Sequence, residues 1–218
     1  MTMSVSEAVD KRASIRAFLP TPVADETIRD LLHKASRAPS GGNVQPWRIY
    51  VVNGQSMSRF REFMAGRPLD QAEYDIYPPG LIDPYRTARF ELGEAMYALL
   101  GIPREDKAAR LARMAQNYDF FGAPAALFCY LDRTMGPPQW SDLGMFLQTF
   151  MLLAVEAGLD TCPQEAWANH HTGVTEFVGA PENEMLFCGM AIGHRDDDAP
   201  VNALRSDRFS VDEFARWV

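Results

Sequence analysis

Apolar residues recur along the chain at helical spacing in several segments, separated by turns rather than by repeats or low-complexity linkers. The segment ADETIRDLLHKASRAP predicts an amphipathic helix that stops at Pro39. Its apolar residues fall at i, i+3, i+4 and i+7, namely Ile28, Leu31, Leu32 and Ala35. A shorter helix is predicted over VSEAVDKR, with Ser4 or Ser6 as its N-cap and its end near Ala13.

Three apolar runs predict strands, and they are RIYVVN, APAALFCYL and EMLFCGMAIGH. The second run is almost continuously apolar, so we expect it at the centre of a sheet. Further helices are predicted over SMSRFREFMAG, over residues 86–101 and 103–117, and over SVDEFARWV in the tail. The segment 141–159 is apolar around most of its circumference. This predicts a helix buried on nearly all sides, either inside the core or against another subunit.

Long helical stretches separate the predicted strands, with two helices in a row more than once. This order favours a three-layer α+β domain over a doubly wound parallel sheet. We expect one domain over residues 1–218, with an irregular excursion at about 67–86 and a C-terminal tail at 195–218. The excursion is rich in Pro, Asp and Tyr. Its tyrosines are expected to pack against the domain, with the lining of a pocket for a flat substrate as the alternative: Tyr74, Tyr77 and Tyr85.

Charge and cysteine content narrow the class of protein. The formal net charge of −8 and a pI near 5.0 argue against nucleic acid or an anionic membrane as a partner, and favour a small molecule. The three cysteines form neither a CxxC pair nor an even set, which fits a reducing cytoplasm. The N-terminal segment lacks an apolar signal region, and the longest apolar stretches are too short for a membrane span. We therefore expect a cytoplasmic protein.

Several common catalytic motifs are missing from the sequence. No GxGxxG follows a predicted strand, and GxxxxGK[ST], HExxH, GxSxG and EF-hand loops do not occur. His33 lies on an amphipathic helix, and His170 and His171 are adjacent, a spacing that does not place both on one helix face. We expect no metal site. Cys162 has no base nearby in sequence, so it is not expected to act as a nucleophile.

Two polar segments remain as candidates for binding. In KRASIRAFLP, extended chain would point Arg12, Ser14 and Arg16 to one side, which suits an anion. The alternative is that the arginines are solvated cations near a helix C-terminus. In PSGGNVQPW, residues 39–47, two glycines and two side-chain amides precede the first strand. That loop is either a helix-to-strand turn with local hydrogen bonds or a ligand-binding loop.

In combination, these segments resemble a known family. RASIRAF followed by APSGGNVQPWRIYVV is similar to the N-terminal signature of the FMN-dependent nitroreductases. The resemblance continues through FFGAPAALF, WSDLGMFLQTFMLLAVEAGLDTCPQEAW and AIGHRDDDAPVNALRSDRFSVDEF, so it covers almost the whole chain. It implies a three-layer α/β/α fold with a central, mainly antiparallel sheet and a long buried helix at a homodimer interface.

The resemblance also implies which residues bind FMN. Arg12 would contact the phosphate, Arg16 would lie nearer the pyrimidine ring, and Ser14 would join them. The partner subunit would supply Ser40, Asn43 and Gln45. The segment CPQEA would lie against the flavin through Pro163, Gln164 and Glu165, with a backbone N–H toward N5, although many members have Gly where this chain has Ala166. Further cationic contacts to the phosphate would come from the tail, with Arg205 preferred over Arg208.

The activity implied by the resemblance is reduction of a nitroaromatic, quinone or related flat acceptor by NADH or NADPH in a ping-pong hydride transfer. The flavin would carry the hydride, so no catalytic side chain is expected. Two alternatives stay open. One is another flavin reaction on the same fold, such as reductive dehalogenation or flavin breakdown, and the other is a non-enzymatic flavin-binding protein.

Overall fold

The computed structural model describes residues 3–218, and its strands form a four-stranded antiparallel sheet. The strands are β1 (Arg48–Asn53), β2 (Ala125–Asp132), β3 (Asp160–Gln164) and β4 (Glu184–Gly193). Their order across the sheet is β1-β2-β4-β3, so β2 is central, as its apolar run predicts. Residues 1–2 of the predicted domain lie outside the described residues.

Eight α-helices connect and cover the strands within residues 3–218. They are α1 (Val5–Lys11), α2 (Asp25–Ala35), α3 (Gln55–Met64), α4 (Tyr85–Leu99), α5 (Lys107–Ala115), α6 (Pro137–Glu156), α7 (His171–Val178) and α8 (Val211–Phe214). α1 starts with a capping box, in which Ser4 Oγ accepts the Glu7 N–H at 3.2 Å and the Glu7 carboxylate accepts the Ser4 N–H at 2.7 Å. Ser4 is therefore the cap, and α1 ends at Lys11.

Alternation along β2 divides the core into two halves. Leu127, Cys129 and Leu131 pack with α2 and α6 on one face of the sheet, whereas Phe128 and Tyr130 pack with α3 and α7 on the other. Successive side chains of a strand point to opposite faces, so one buried strand supplies both halves. Helices lie on both faces of an antiparallel sheet, which confirms the predicted three-layer α+β architecture.

A bulge in β4 anchors the irregular excursion. Cys129 pairs with Cys188 and Tyr130 pairs with Leu186, which leaves Phe187 as the extra residue. The Tyr74 ring stacks on Phe187 with centroids 5.9 Å apart, and its hydroxyl donates to the Phe187 carbonyl. Tyr74 thus packs as expected. Tyr77 and Tyr85 are more exposed, at 48% and 59%, although the Arg89 guanidinium lies 3.9 Å from the centre of the Tyr77 ring.

Two elements were missing from the predictions, β3 and α7, so the predicted three strands become four. β3 is polar and contains Pro163, which lacks the N–H that a central strand needs; β3 lies at the edge, beside β4. α7 contains Gly173 and several β-branched residues, which have low helix propensity. It ends at Gly179, whose φ of 70° forms a left-handed cap.

The long helix α6 is buried on one side only within the chain. Leu143, Phe146 and Phe150 are fully or almost fully buried, whereas Gly144 is exposed and Met145 is 37% exposed. Burial on nearly all sides inside the core is therefore wrong. The other expectation, that a second subunit covers α6, stays a prediction.

The remaining helices have few buried residues or are shorter than predicted. α4 has no buried residue along its 15 positions, and Phe90 on it is 49% exposed. α5 begins at Lys107 rather than near residue 103, and α8 covers only Val211–Phe214 of the predicted segment SVDEFARWV. Within residues 3–218, every helix is too short or too polar to cross a bilayer.

Candidate functional site

The RxSxR segment leaves α1 as extended chain and runs alongside β3. The Ile15 N–H donates to the Thr161 carbonyl at 3.0 Å, and Ser14 forms a parallel bridge with Thr161. Residues 12–16 thus continue the sheet beyond its β3 edge. Because side chains alternate along extended chain, Arg12, Ser14 and Arg16 leave it on the side opposite Ile15, which is completely buried.

The buried Asn202 ties the C-terminal tail to this segment. Its Oδ1 accepts the Arg16 N–H at 2.8 Å, while its Nδ2 donates to the carbonyls of Ala17 and Asp196, each at 2.8 Å. Asn202 is only 7% exposed, so these bonds are shielded from water. Sequence reasoning missed Asn202, and nothing in its local sequence distinguishes it from an ordinary loop asparagine.

Five arginines form a group around the RxSxR segment and β3: Arg12, Arg16, Arg113, Arg205 and Arg208. Among residues 3–218, no carboxylate lies within 4.0 Å of any of these guanidinium groups. Burial lowers the pKa of Arg12, and the positive charges of Arg208 and then Arg205 lower it further. A local excess of positive charge in a chain of net charge −8 is suited to binding an anion.

Arg113 was not among the predicted site residues. It lies on α5, is 8% exposed, and donates from Nη2 to the Arg16 carbonyl at 2.8 Å. Burial lowers its pKa, as does the neighbouring charge of Arg16. The sequence of α5 also contains Arg110, and nothing in their spacing shows which arginine turns inward.

The predicted residues Pro163 and Gln164 lie at the end of β3, and Glu165 follows it. Gln164 is 3% exposed, and its Nε2 donates to the Asn117 carbonyl at 2.8 Å and to Asn117 Oδ1 at 3.1 Å. Glu165 is exposed and Pro163 half-buried. Two buried oxygens in β3, Thr161 Oγ1 and Gln164 Oε1, have no hydrogen-bond partner in the chain.

Cys162 lies between these groups but is not a nucleophile. Burial raises the pKa of its thiol to about 11, although Arg16, Arg113 and Arg12 act in the opposite direction. At neutral pH the thiol is therefore protonated, and the thiol is much less reactive than the thiolate.

The Ser40 loop, residues 39–47, has a defined conformation although most of it is exposed. The Ser40 carbonyl accepts the Asn43 N–H at 2.9 Å, and Ser40 Oγ accepts the Gln45 N–H at 3.0 Å. Asn43 and Gln45 adopt left-handed φ values of 58° and 50°, which asparagine tolerates better than most residues. The Gly41 N–H donates to the Asp142 carboxylate of α6 at 3.2 Å, fixing the loop to that helix. Asn43 and Gln45 are exposed, and Gln45 Nε2 donates to the Asn43 carbonyl at 3.2 Å, so both side-chain amides lie at the surface of the chain.

A single chain does not bring the loop and the arginines together. The loop immediately precedes β1 at one edge of the sheet, whereas Ser14 lies beyond β3 at the opposite edge. Four strand spacings of 4.7–4.9 Å separate β1 from Ser14, a distance of about 19 Å. The predicted site residues thus form two groups, with Arg12, Ser14, Arg16, Gln164 and the tail in one and the Ser40 loop in the other.

Comparison with known proteins shows which family this chain resembles. The profile of the nitroreductase family matches residues 9–194. The chain is 34% identical to a 4-nitrobenzoate reductase of Pseudomonas putida over 100% of its own length and 97% of the relative's. It is also 34% identical to a nitrobenzene nitroreductase of Ectopseudomonas oleovorans, over 98% and 96% of the two chains.

Solved structures agree with the sequence matches. The FMN- and NADPH-dependent nitroreductase NfnB of Sphigopyxis sp. strain HMH superposes with a TM-score of 0.95 at 48% identity, over 99% of both chains. The FMN-dependent NfnB of Mycobacterium smegmatis, solved in complex with NADPH, gives a TM-score of 0.90 at 29% identity, over 99% of this chain and 100% of that one. The chain described here belongs to the nitroreductase family.

Proposed function

We propose that this protein is an FMN-dependent oxidoreductase that uses NADH or NADPH to reduce nitroaromatics, quinones or related flat acceptors. The observation that carries the proposal is the group of five arginines without a carboxylate partner, placed beside the β3 segment. Relatives across the family reduce nitroaromatic compounds, as their names state.

The residues present fit FMN. Guanidinium groups pair bidentately with phosphate oxygens, so Arg12, with Arg205 or Arg208 beside it, would hold the phosphate. Arg16, four positions further along the same extended segment, would face the ring. The backbone of Pro163–Glu165 and the unpartnered Gln164 Oε1 would meet the polar edge of the ring system.

FMN, when bound, takes up a hydride from the nicotinamide and supplies it to the acceptor. The chain's own contribution is to bind, orient and shield. Cys162 stays protonated and buried, so no side chain is required as a nucleophile. Substitutions of residues that line the acceptor pocket should therefore change the choice of acceptor, whereas hydride transfer itself should persist.

The flavin site would be shared between two subunits of a homodimer. The roughly 19 Å between the Ser40 loop and Ser14 supports this, because within one chain the two groups lie at opposite edges of the sheet. α6 supports it as well, because Asp142 fixes the loop to this helix and the other side of the helix is exposed. The loop of one protomer, with Ser40, Asn43 and Gln45, would close the arginine site of its partner.

The cellular setting follows from the composition. An acidic chain whose three cysteines are all free and buried suits the reducing cytoplasm, where the reduced nicotinamides are found. We expect one domain, and its acid excess argues against nucleic acid or an anionic membrane as a partner.

Steady-state kinetics of the FMN-loaded protein test this function. With NADH or NADPH as donor and 4-nitrobenzoate or a quinone as acceptor, we expect parallel double-reciprocal lines, because donor and acceptor use one pocket in turn. Apoprotein reloaded with FAD should be inactive, since the arginines provide for a terminal phosphate only. Absence of turnover with either nucleotide and every acceptor would leave a flavin-binding protein rather than a reductase.

A further inference from the structure

Arg113 is a buried cation whose charge is not neutralised within the chain. It is 8% exposed, and its Nε is buried without a hydrogen-bond partner. Nη1 donates to Gln116 Oε1, Nη2 donates to the Arg16 carbonyl at 2.8 Å, and both acceptors are uncharged. Removing a guanidinium from water without a counter-ion is costly, so a bound anion is the natural compensation.

The positions of the arginines divide the cationic group into two parts. Arg12 is influenced by the charges of Arg208 and Arg205, which belong to the tail. Arg113 is instead influenced by Arg16, to whose carbonyl it donates. Its guanidinium carbon also lies 5.1 Å from the centre of the Phe121 ring, within the range of a cation–π contact. Arg113 is therefore linked to the Arg16 end of the segment, and the tail arginines to its Arg12 end.

A negative charge develops at the ring during the proposed reaction. A bound FMN would supply the hydride acceptor: the C4–H bond of the nicotinamide would break, and the hydride would pass to the flavin. The nicotinamide would then carry a positive charge, and the reduced ring held by Arg16 would carry an additional negative charge until it gained a proton. A cation fixed beforehand beside that charge stabilises the reduced form relative to the oxidised form.

We propose that Arg113 is a positioning residue of the flavin site that holds the Arg16 main chain and, with Arg16, stabilises reduced FMN over oxidised FMN. This inference rests on the proposed FMN site. It makes a claim that a purely structural role does not make, namely that the charge of Arg113 sets the balance between the two redox states.

The test compares three variants of the FMN-loaded protein with the wild type. Arg113→Gln removes the charge but keeps an N–H for the Arg16 carbonyl, Arg113→Met removes both, and Arg113→Lys keeps the charge. Arg110→Met is the control, because Arg110 lies on the same helix but its charge is already paired with Glu94 at 2.6 Å. The readouts are the dissociation constant of oxidised FMN and the midpoint potential against a reference dye.

For Arg113→Gln and Arg113→Met we expect the ratio of the dissociation constants of reduced and oxidised FMN to rise about tenfold, which for a two-electron couple lowers the potential by about 30 mV. Arg113→Lys and Arg110→Met should keep the wild-type potential. If both uncharged variants fail to take up FMN while Arg113→Lys takes it up, the requirement for positive charge is supported.

Two results would overturn the inference. One is an unchanged potential in Arg113→Gln or Arg113→Met, and the other is loss of folding in all three variants, Arg113→Lys included, which would mean a structural role alone. Failure of the proposed function is separable from both, because in that case the wild-type protein itself would not bind FMN.

Discussion

At the scale of single residues, the proposed site is a group of neighbouring cations. Other arginines form ion pairs, such as Arg61 with Asp119 at 2.6 Å and Arg195 with Asp160, which lies on β3 itself. The five arginines near β3 have no such carboxylate within residues 3–218. Of these five, Arg113 is buried and Arg12 and Arg16 are half-buried, whereas Arg205 and Arg208 are exposed. A buried charge is costly without compensation, which is the reason for proposing a bound anion here.

Arg12→Ala should weaken FMN binding by about 1.5–3 kcal/mol, the range for a hydrogen bond to a charged group. Riboflavin, which lacks the phosphate, should lose much less affinity. Titration of the apoprotein with each flavin, followed by quenching of flavin fluorescence, measures both effects. Arg59→Ala, an exposed arginine on α3, is the control and should bind both flavins like the wild type. Equal losses for FMN and riboflavin would show that Arg12 does not read the phosphate.

Sequence reasoning grouped Arg12, Ser14 and Arg16 because side chains alternate along extended chain, and their role in binding FMN stays a prediction. Arg113 and Asn202 were beyond its reach. Each occupies its place through contacts with residues far away in sequence, such as Arg16 in both cases. A helical spacing shows which residues share a face, but not which of two arginines, Arg110 or Arg113, turns toward another element.

At the scale of elements, β3 and β4 together build the backbone that would lie against the flavin. Gln164 pairs with Gly189, and the indole of Trp167 covers Gly189 so closely that an added Cβ would lie 2.3 Å from Trp167 Cδ1. Trp167 is fully buried. The glycine is therefore required by close packing rather than by its backbone angle. It links the core residue Trp167 to Gln164, in the segment that would lie against the flavin.

Gly189→Ala should destabilise the apoprotein by about 1–3 kcal/mol, the usual cost of overpacking a core. Because Gly189 pairs with Gln164, FMN affinity should fall too. Gly93→Ala on α4 is the control, since nothing lies within 4 Å of the added Cβ there, and alanine in a helix interior should be neutral or stabilising by about 0.5–1 kcal/mol. Urea unfolding of both variants measures the difference. A Gly189→Ala protein as stable as the wild type would contradict the packing argument.

The elements with strong periodicity were predicted and the weak ones were not. α2 and β2 carry their burial pattern in their own sequence, and both are found where expected. β3 is a strand because β4 offers it a free edge, and its sequence, DTCPQ, contains no alternation that would show this. α7 similarly depends on packing, with Val174 fully buried in a helix of low intrinsic propensity.

At the scale of the whole molecule, the proposed flavin site requires a second copy of the chain. Both candidate binding motifs are visible in the sequence. The distance between them is not, because it depends on the strand order β1-β2-β4-β3. The exposed apolar residues of α1, α4 and α5 fit the same requirement: Val5, Val9, Phe90, Leu99, Leu111 and Met114. Burying such residues between protomers would stabilise a homodimer.

Complementation between two inactive variants tests the shared site most directly. One chain carries Arg12→Ala and the other carries Asn43→Ala with Gln45→Ala, and each is expected to bind FMN poorly as a homodimer. In a mixed two-fold dimer, one site collects all the lesions and the other is wholly native.

The two chains are co-expressed with different affinity tags, and the purified mixed dimer is titrated with FMN. About half of randomly paired dimers are mixed, so about a quarter of all sites in the unfractionated sample should recover wild-type affinity and turnover. In the purified mixed dimer, we expect one native site per dimer. If both parents fold and the verified mixed dimer recovers no site at all, then each flavin site lies within one chain and the shared-site account is wrong.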